Sequence, residues 1–303
     1  MDVAYIASIG LPVHCTLPER KVQPAEQEGT GRASVAKPAL APPSSKEDSI
    51  AVHGCSQKQH TAGHSQSASK ALYMDATYVF QCSAILTSSK VSEDGQALLV
   101  ELSRTVFHPQ GGGQPADIGR LVADGLPSLD VVFASKDKVD PGVLWHECRG
   151  DFQPWLGKEG VEVVCNVDEP RRRLHARLHS AGHLLDVAMM ALGFRWKPGK
   201  GYHFPDGPYV EYLPSQDGRQ LDVKDAKAKE LVMQELASKM KELVDKKVAT
   251  NIEFVDGVRM IAMDGVSCGC GGTHVEHSGE IGEVSIKKIQ AKQGNIRVSY
   301  AVA

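Results

Sequence analysis

The stretch Arg171-Arg-Arg-Leu-His-Ala-Arg-Leu-His-Ser-Ala-Gly-His-Leu-Leu-Asp186 decides how the chain folds. Leu174, Leu178, Leu185 and Met189 recur at helical spacing up to Gly193. Asp168 stands where an N-cap belongs and Pro170 falls in the first turn, so the pattern predicts a helix. His179 and His183 lie four residues apart on it. That spacing places both imidazoles on one face, where they can share a metal ion.

Spacing alone decides nothing, because His60-Thr-Ala-Gly-His64 repeats it in a segment with no apolar period. Two features set residues 171–186 apart: the apolar frame, and a second candidate pair downstream in Cys270-Gly-Gly-Thr-His274. His179, His183, Cys270 and His274 together suit zinc, a borderline-soft ion held tetrahedrally by nitrogen and sulfur.

Upstream of the helix, short alternating or apolar runs at 77–86, 97–102, 129–134, 143–147 and 161–167 are separated by Gly and Asp turns. They predict a small β domain, closed as a barrel. Within it Thr105-Val-Phe-His-Pro-Gln-Gly-Gly-Gly-Gln-Pro-Ala-Asp-Ile-Gly119 has three consecutive glycines, which permit positive φ and close approach of a ligand or backbone. Taken by themselves, those glycines read most simply as a hairpin or bulge.

Downstream, residues 197–212 read as a turn-rich loop entering a strand, and its His203 as a surface or satisfied histidine before a ligand or base. Residues 223–248 predict a second helix with Leu231, Leu236, Met240 and Leu243 on its apolar face. Residues 282–302 alternate as two strands around Gln293-Gly-Asn295, with Lys287, Lys288, Lys292 and Arg297 projecting. Residues 1–70 are rich in Pro, Ala, Ser, Gln and Gly and predict a disordered tail, in which His53, Cys55, His60 and His64 have no frame to fix them.

No apolar run approaches the roughly 18–20 residues that span a bilayer, so a membrane protein is not expected. Seven cysteines without a pairing pattern suggest reduced thiols in the cytoplasm. The acids Asp2, Glu19, Glu26 and Glu28 count against an organellar transit peptide. A formal charge of −3 offers no global attraction to nucleic acid, so any such binding must rest on local patches. No ATP-binding motif is recognised.

With these pieces in place, the chain resembles the alanyl-tRNA editing proteins, free-standing relatives of the editing domain of alanyl-tRNA synthetase. The likeness runs from about residue 72 to the C-terminus. It is carried by Phe107-His-Pro-Gln-Gly-Gly-Gly-Gln-Pro-Ala-Asp-Ile-Gly119, His179-Ser-Ala-Gly-His183 and Cys268-Gly-Cys-Gly-Gly-Thr-His-Val275. It implies an α+β fold: an N-terminal small β-barrel at 71–167, then an α/β zinc-binding editing domain at 168–303 of the threonyl/alanyl-tRNA synthetase second-additional-domain type. The activity it implies is a zinc-dependent aminoacyl-tRNA hydrolase that removes serine, and glycine as a second substrate, from tRNA(Ala). Its four zinc-ligand positions fall on His179, His183, Cys270 and His274.

Beside that zinc, backbone N–H groups at Gly112 and Gly113 and the Gln114 amide are the expected substrate-positioning groups. Arg171, Arg172, Arg173, Arg177, Lys197, Lys200, Lys287, Lys288 and Lys292 are the candidates for phosphate contact with the tRNA partner. Two departures stand out: the family commonly has Tyr and Glu where this chain has His108 and Gln110, and the chain ends after its final hairpin, without the extra C-terminal domain of longer members. A zinc metalloprotease fails at Ser180, where H-E-x-x-H requires its glutamate. Two alternatives keep every residue assignment: a non-catalytic tRNA-binding module with structural zinc, and an editing domain for mischarged threonine tRNA. Four protein ligands also make a closed site, whereas catalytic zinc usually keeps one position open.

Overall fold

The structure is a computed structural model that describes residues 69–303. The expected tail, with its His53, Cys55, His60 and His64, lies outside the described residues.

The strands in the first half are β1 (Lys70–Ala71), β2 (Gln81–Val91), β3 (Leu98–Leu102), β4 (Arg104–Thr105), β5 (Gly119–Val122), β6 (Leu129–Lys136), β7 (Leu144–Arg149) and β8 (Glu162–Val167). Six of them close the expected barrel in the order β2-β3-β7-β6-β5-β8. Alternation explains the closure: Ala84 and Leu86 of β2, Val163 and Cys165 of β8, and Leu129 and Val131 of β6 point inward into one apolar core. Trp155 is fully buried in the same core, and its indole N–H donates to the Pro127 carbonyl at 2.8 Å.

Helix α1 (Glu169–Ala191) follows, then β9 (Lys197–Tyr202), β10 (Tyr209–Leu213), α2 (Ala226–Asp245), β11 (Thr250–Val255), β12 (Val258–Met263), β13 (Val266–Gly269), β14 (Val284–Lys292) and β15 (Asn295–Val302). Strands β14-β15-β10-β9 form an antiparallel sheet, and β11-β12-β13 form a second, smaller one. On one face of the four-stranded sheet Val210, Tyr212, Val298 and Tyr300 pack with Leu184 and Leu185 of α1 and Leu236 and Met240 of α2 in a second core. The opposite face carries Tyr209, Glu211, Arg297 and Ser299.

Asp168 caps α1 by accepting the Arg171 N–H at 3.0 Å. Asp225 caps α2, accepting from Lys227 and Ala228. The buried face of α2 is Val232, Leu236, Met240 and Leu243; Leu231, expected inside, is 54% exposed, because the stripe starts one residue later. The segment 197–202, expected as a loop, is a strand despite Pro198. It lies at the edge of its sheet, where a residue without an N–H costs no ladder hydrogen bond.

One contact inside the fold fixes the later site. Arg172, fully buried, makes an ion pair with Asp117 and donates to the carbonyls of Thr77 and Val106. Asp117 also accepts the His108 N–H at 2.6 Å. The Gly-rich segment between β4 and β5 is therefore bolted to the first turn of α1.

Candidate metal centre

The three glycines form a hairpin. Gly111 and Gln114 exchange both backbone hydrogen bonds, at 3.1 and 2.9 Å, and Gly112 and Gly113 take φ of +59° and +80°. Positive φ at both central residues is the two-residue turn that glycine favours. The Gly113 carbonyl accepts the His203 N–H at 2.8 Å, so the hairpin tip is joined to the end of β9.

That geometry sends the Gln114 side chain inward. It is fully buried: Oε1 accepts from His179 Nδ1 at 2.8 Å and from the Thr273 N–H at 3.0 Å, while Nε2 donates to Thr273 Oγ1 at 2.9 Å. Because a carbonyl oxygen only accepts, His179 carries its proton on Nδ1, and its Nε2 presents a lone pair. The Gln114 amide, expected to position substrate, is directed to His179 and the Thr273 loop.

Around His179 Nε2 the structure gathers residues from two remote segments. His179, His183, Cys270 and His274 offer ligand atoms that all lie within 4.8 Å of one another. The ring centroids of His179 and His274 are 4.5 Å apart, those of His183 and His274 4.9 Å, and Cys270 Sγ is 3.4 Å from His179 Nε2. His183 and Cys270 are partly exposed, and Gly271 beside them is exposed, so the cluster opens on that side and is closed behind His179 and His274.

Local sequence explains the approach. A Cβ on Gly272 would stand 2.2 Å from His179 Cε1 and 2.9 Å from Gln114 Oε1, so only glycine lets the loop pass the imidazole. Buried Arg259 holds the same turn, its guanidinium donating to the carbonyls of Cys270 at 2.6 Å and Gly272 at 3.0 Å. His274 N–H donates to Thr77 Oγ1, and Val275 N–H to Ser180 Oγ.

The donor set fits a soft or borderline divalent ion. Both ring nitrogens of His274 and Nε2 of His183 are buried without a hydrogen-bond partner among the described residues. Such orphans are costly unless something satisfies them. Burial, followed by the neighbouring imidazoles, holds His179 and His274 well below the ordinary histidine range, and burial followed by Arg259 lowers His183 to about 4. All three are neutral at pH 7, the state a metal ligand requires. Burial raises the Cys270 thiol, opposed by the Gly272 N–H and Arg259.

Two neighbours flank the four. His203 is buried and stacks on His179 at 4.4 Å with an interplanar angle of 20°. Its Nδ1 lies 2.7 Å from the Tyr300 hydroxyl, which donates to the Leu178 carbonyl at 2.8 Å. The single hydroxyl proton is thereby committed, and His203 Nδ1–H donates to Tyr300, leaving Nε2 unprotonated. Cys268 Sγ lies 3.2 Å from His183 Nδ1, just outside the four. A histidine following a Gly-Lys-Gly-Tyr run carries no signal of burial, and Thr273 was legible only as the neighbour of His274.

The cations separate into two groups. Arg172 cannot reach a phosphate, being buried and spent on Asp117. Arg177 is likewise turned inward, donating to the carbonyls of Ile281 and Ala303. Arg173 is exposed but pairs with Glu169 at 2.8 Å and lies over the rings of Tyr78 and Phe80. Arg171, Lys197, Lys200, Lys287, Lys288 and Lys292 are exposed. No helix among the described residues is long and apolar enough to cross a membrane.

Residues 258–298 match the threonyl and alanyl tRNA synthetase second additional domain. The chain is 28% identical over 245 residues to the alanyl-tRNA editing protein AlaX-M of Methanosarcina mazei, covering 75% of this chain and 95% of that protein. It is 29% identical over 246 residues to the same-named protein of Methanosarcina barkeri, covering 76% and 97%. It is also 32% identical over 227 residues to the alanine-tRNA ligase of Korarchaeum cryptofilum, covering 69% of this chain. The chain spans about a quarter of the length of such ligases, 24% in that case.

Proposed function

Because the chain is a homologue of the alanyl-tRNA editing proteins and contains a stretch of the synthetase second additional domain, we infer that it is an aminoacyl-tRNA deacylase that clears serine from mischarged tRNA(Ala), with glycine as a second substrate. The observation that carries this reading is the convergence of His179, His183, Cys270 and His274 on one partly open cluster. These four residues would hold zinc. Bound there, the ion supplies a Lewis acid for an ester carbonyl or lowers the pKa of water to about 7.

The chain's own residues do the rest. Gln114 fixes the His179 tautomer so that Nε2 is available to the cluster, the second-layer support that metal-bound imidazoles usually need. Tyr300 does the equivalent for His203, keeping its ring stacked on His179 and its Nε2 free to accept a proton or hydrogen bond. The N–H groups of Gly112 and Gly113, at the hairpin tip beside His203, are the donors we assign to the substrate. The exposed Arg171, Lys200, Lys287 and Lys288 supply phosphate contacts.

Editing of this kind follows from a limit on binding. A pocket shaped for alanine rejects an added hydroxyl poorly, by about a hundred-fold, whereas a site built to pair that hydroxyl rejects alanine far more strongly, since a buried polar group is left unpaired. Correctly charged Ala-tRNA is thus spared.

The test is turnover of tRNA(Ala) charged with Ser, Gly or Ala, and of mischarged tRNA(Thr), with and without chelator. Hydrolysis of Ser-tRNA(Ala) that disappears with the metal, and is absent together with bound zinc in His179→Ala and Cys270→Ala, is expected. Binding of all four without turnover would leave a tRNA-binding module, and preference for the threonine substrate would move the activity to the threonine system.

A further inference from the structure

The sheet face opposite the second core carries an aromatic pile that the reaction above does not use. Phe204 stacks on Tyr202 with centroids 4.5 Å apart and planes 10° from parallel, and Tyr202 stacks on Tyr209 at 5.3 Å and 17°. The Arg297 guanidinium closes one end, 3.7 Å over the Tyr209 ring, held in place by Glu211 at 2.7 Å. All three rings are partly exposed.

Their position relative to the cluster follows from strand alternation. Tyr202 pairs across the ladder with Tyr209 on the outer face, and the next residue, His203, is buried against His179 and Tyr300. Successive side chains at a strand end point to opposite sides. The pile therefore begins one residue along the chain from His203, which stacks on His179 of the cluster. Exposed Lys197 and Lys200 lie on the same edge strand.

Apolar packing does not account for parallel rings left partly open on the solvent side of a sheet, with the Tyr202 hydroxyl donating to Asp206 and Arg297 laid over Tyr209. Single-stranded nucleic acid does: bases stack on such rings regardless of sequence while lysines follow the phosphates. An antiparallel four-stranded sheet with aromatic residues on its open face is also a known way of presenting them to RNA.

We propose that Phe204, Tyr202 and Tyr209 form the stacking platform for the unpaired 3′ end of the tRNA, with the terminal base on the ring of Phe204. This rests on the deacylase reading, and it adds the element that delivers the acylated end to the cluster. Phosphate contacts at Lys197 and Lys200 hold the strand along β9.

The experiment compares binding of uncharged tRNA(Ala) with the same tRNA lacking its unpaired 3′ nucleotides, by fluorescence anisotropy. Wild-type protein is expected to prefer the intact tRNA by about ten-fold, the scale of one stacked base. Phe204→Leu, which keeps apolar bulk and removes the π face, should lose most of that preference, and Phe204→Trp should restore it. A tRNA with 2-aminopurine as its terminal base should lose fluorescence on binding wild type and keep it with Phe204→Leu. Full discrimination in Phe204→Leu, equal affinities in wild type, or unquenched 2-aminopurine on the wild-type protein would overturn the proposal. Since uncharged tRNA is used, a protein that stacks the 3′ end yet hydrolyses nothing would fail the deacylase reading alone; one that hydrolyses Ser-tRNA(Ala) without this discrimination would fail the platform alone.

Discussion

Gln114 was legible as part of the site, but the groups it holds were not. Its place beside three glycines suggested a group offered to substrate, but the turn at Gly112 and Gly113 rotates it into the interior, where it holds His179 and Thr273. Side-chain direction after a tight turn depends on φ at two residues, which the letters alone leave open. Gln114→Ala should therefore lower zinc affinity by roughly 10–100-fold, as loss of such outer support does, measured by competition with a chromogenic chelator. An unchanged affinity would mean that His179 needs no orienting partner. Asp186 gives a second prediction. Burial raises its carboxyl from 3.8 to about 7, opposed by the Tyr212 hydroxyl, which donates to it at 2.7 Å. The native state thus keeps a proton that the unfolded chain releases near pH 4, so this contribution is whole below about pH 4 and is lost as pH rises through about 7. Asp186→Asn should flatten urea stability across that window and leave the protein more stable than wild type at pH 8, by up to about 4 kcal/mol. An Asp186→Asn variant that keeps the wild-type slope of stability between about pH 4 and pH 7 would show that Asp186 does not titrate in that window.

At the scale of elements, α1 was readable because its cap, its first-turn proline and its apolar period agree. Asp168 caps it as expected, and the helix ends at Ala191, just before Gly193. The barrel strands were readable by alternation. The edge strand β9 was not, since Pro198, Gly199 and Gly201 imitate a loop; nor was the sheet β11-β12-β13, whose first strand is mostly exposed and shows no buried face. Arg172 marks the limit of reading a basic run: three consecutive arginines look alike, yet one is interior. Removing one member of a buried ion pair strands the other. Arg172→Met is thus expected to cost about 3–5 kcal/mol in denaturant unfolding, while Arg171→Ala, on the solvent side, should change stability by less than about 0.5 kcal/mol. Equal effects would place the weight of this joint elsewhere.

For the molecule as a whole, the four clustered side chains come from one helix and from a loop some ninety residues later, and no spacing rule connects them. Donor chemistry, not periodicity, made them one candidate set, and the resemblance of three motifs implied their ligand positions. Because the ligand cluster ties α1 to the 268–275 loop and Gln114 ties both to the barrel, metal should stabilise the assembly by linkage. Chelation is expected to lower Tm by several degrees in a single transition, followed by calorimetry; an identical Tm with and without metal would show the ion to be uncoupled from folding. The Gln114–Thr273 clasp has one more consequence. Irregular segments normally exchange their amide protons with deuterated solvent fast, but the Thr273 N–H is donated to a fully buried side chain from across the molecule. Its exchange can proceed only when the clasp opens, so this loop should rank among the slowest positions in the protein, keeping time with the interior and not with the surface.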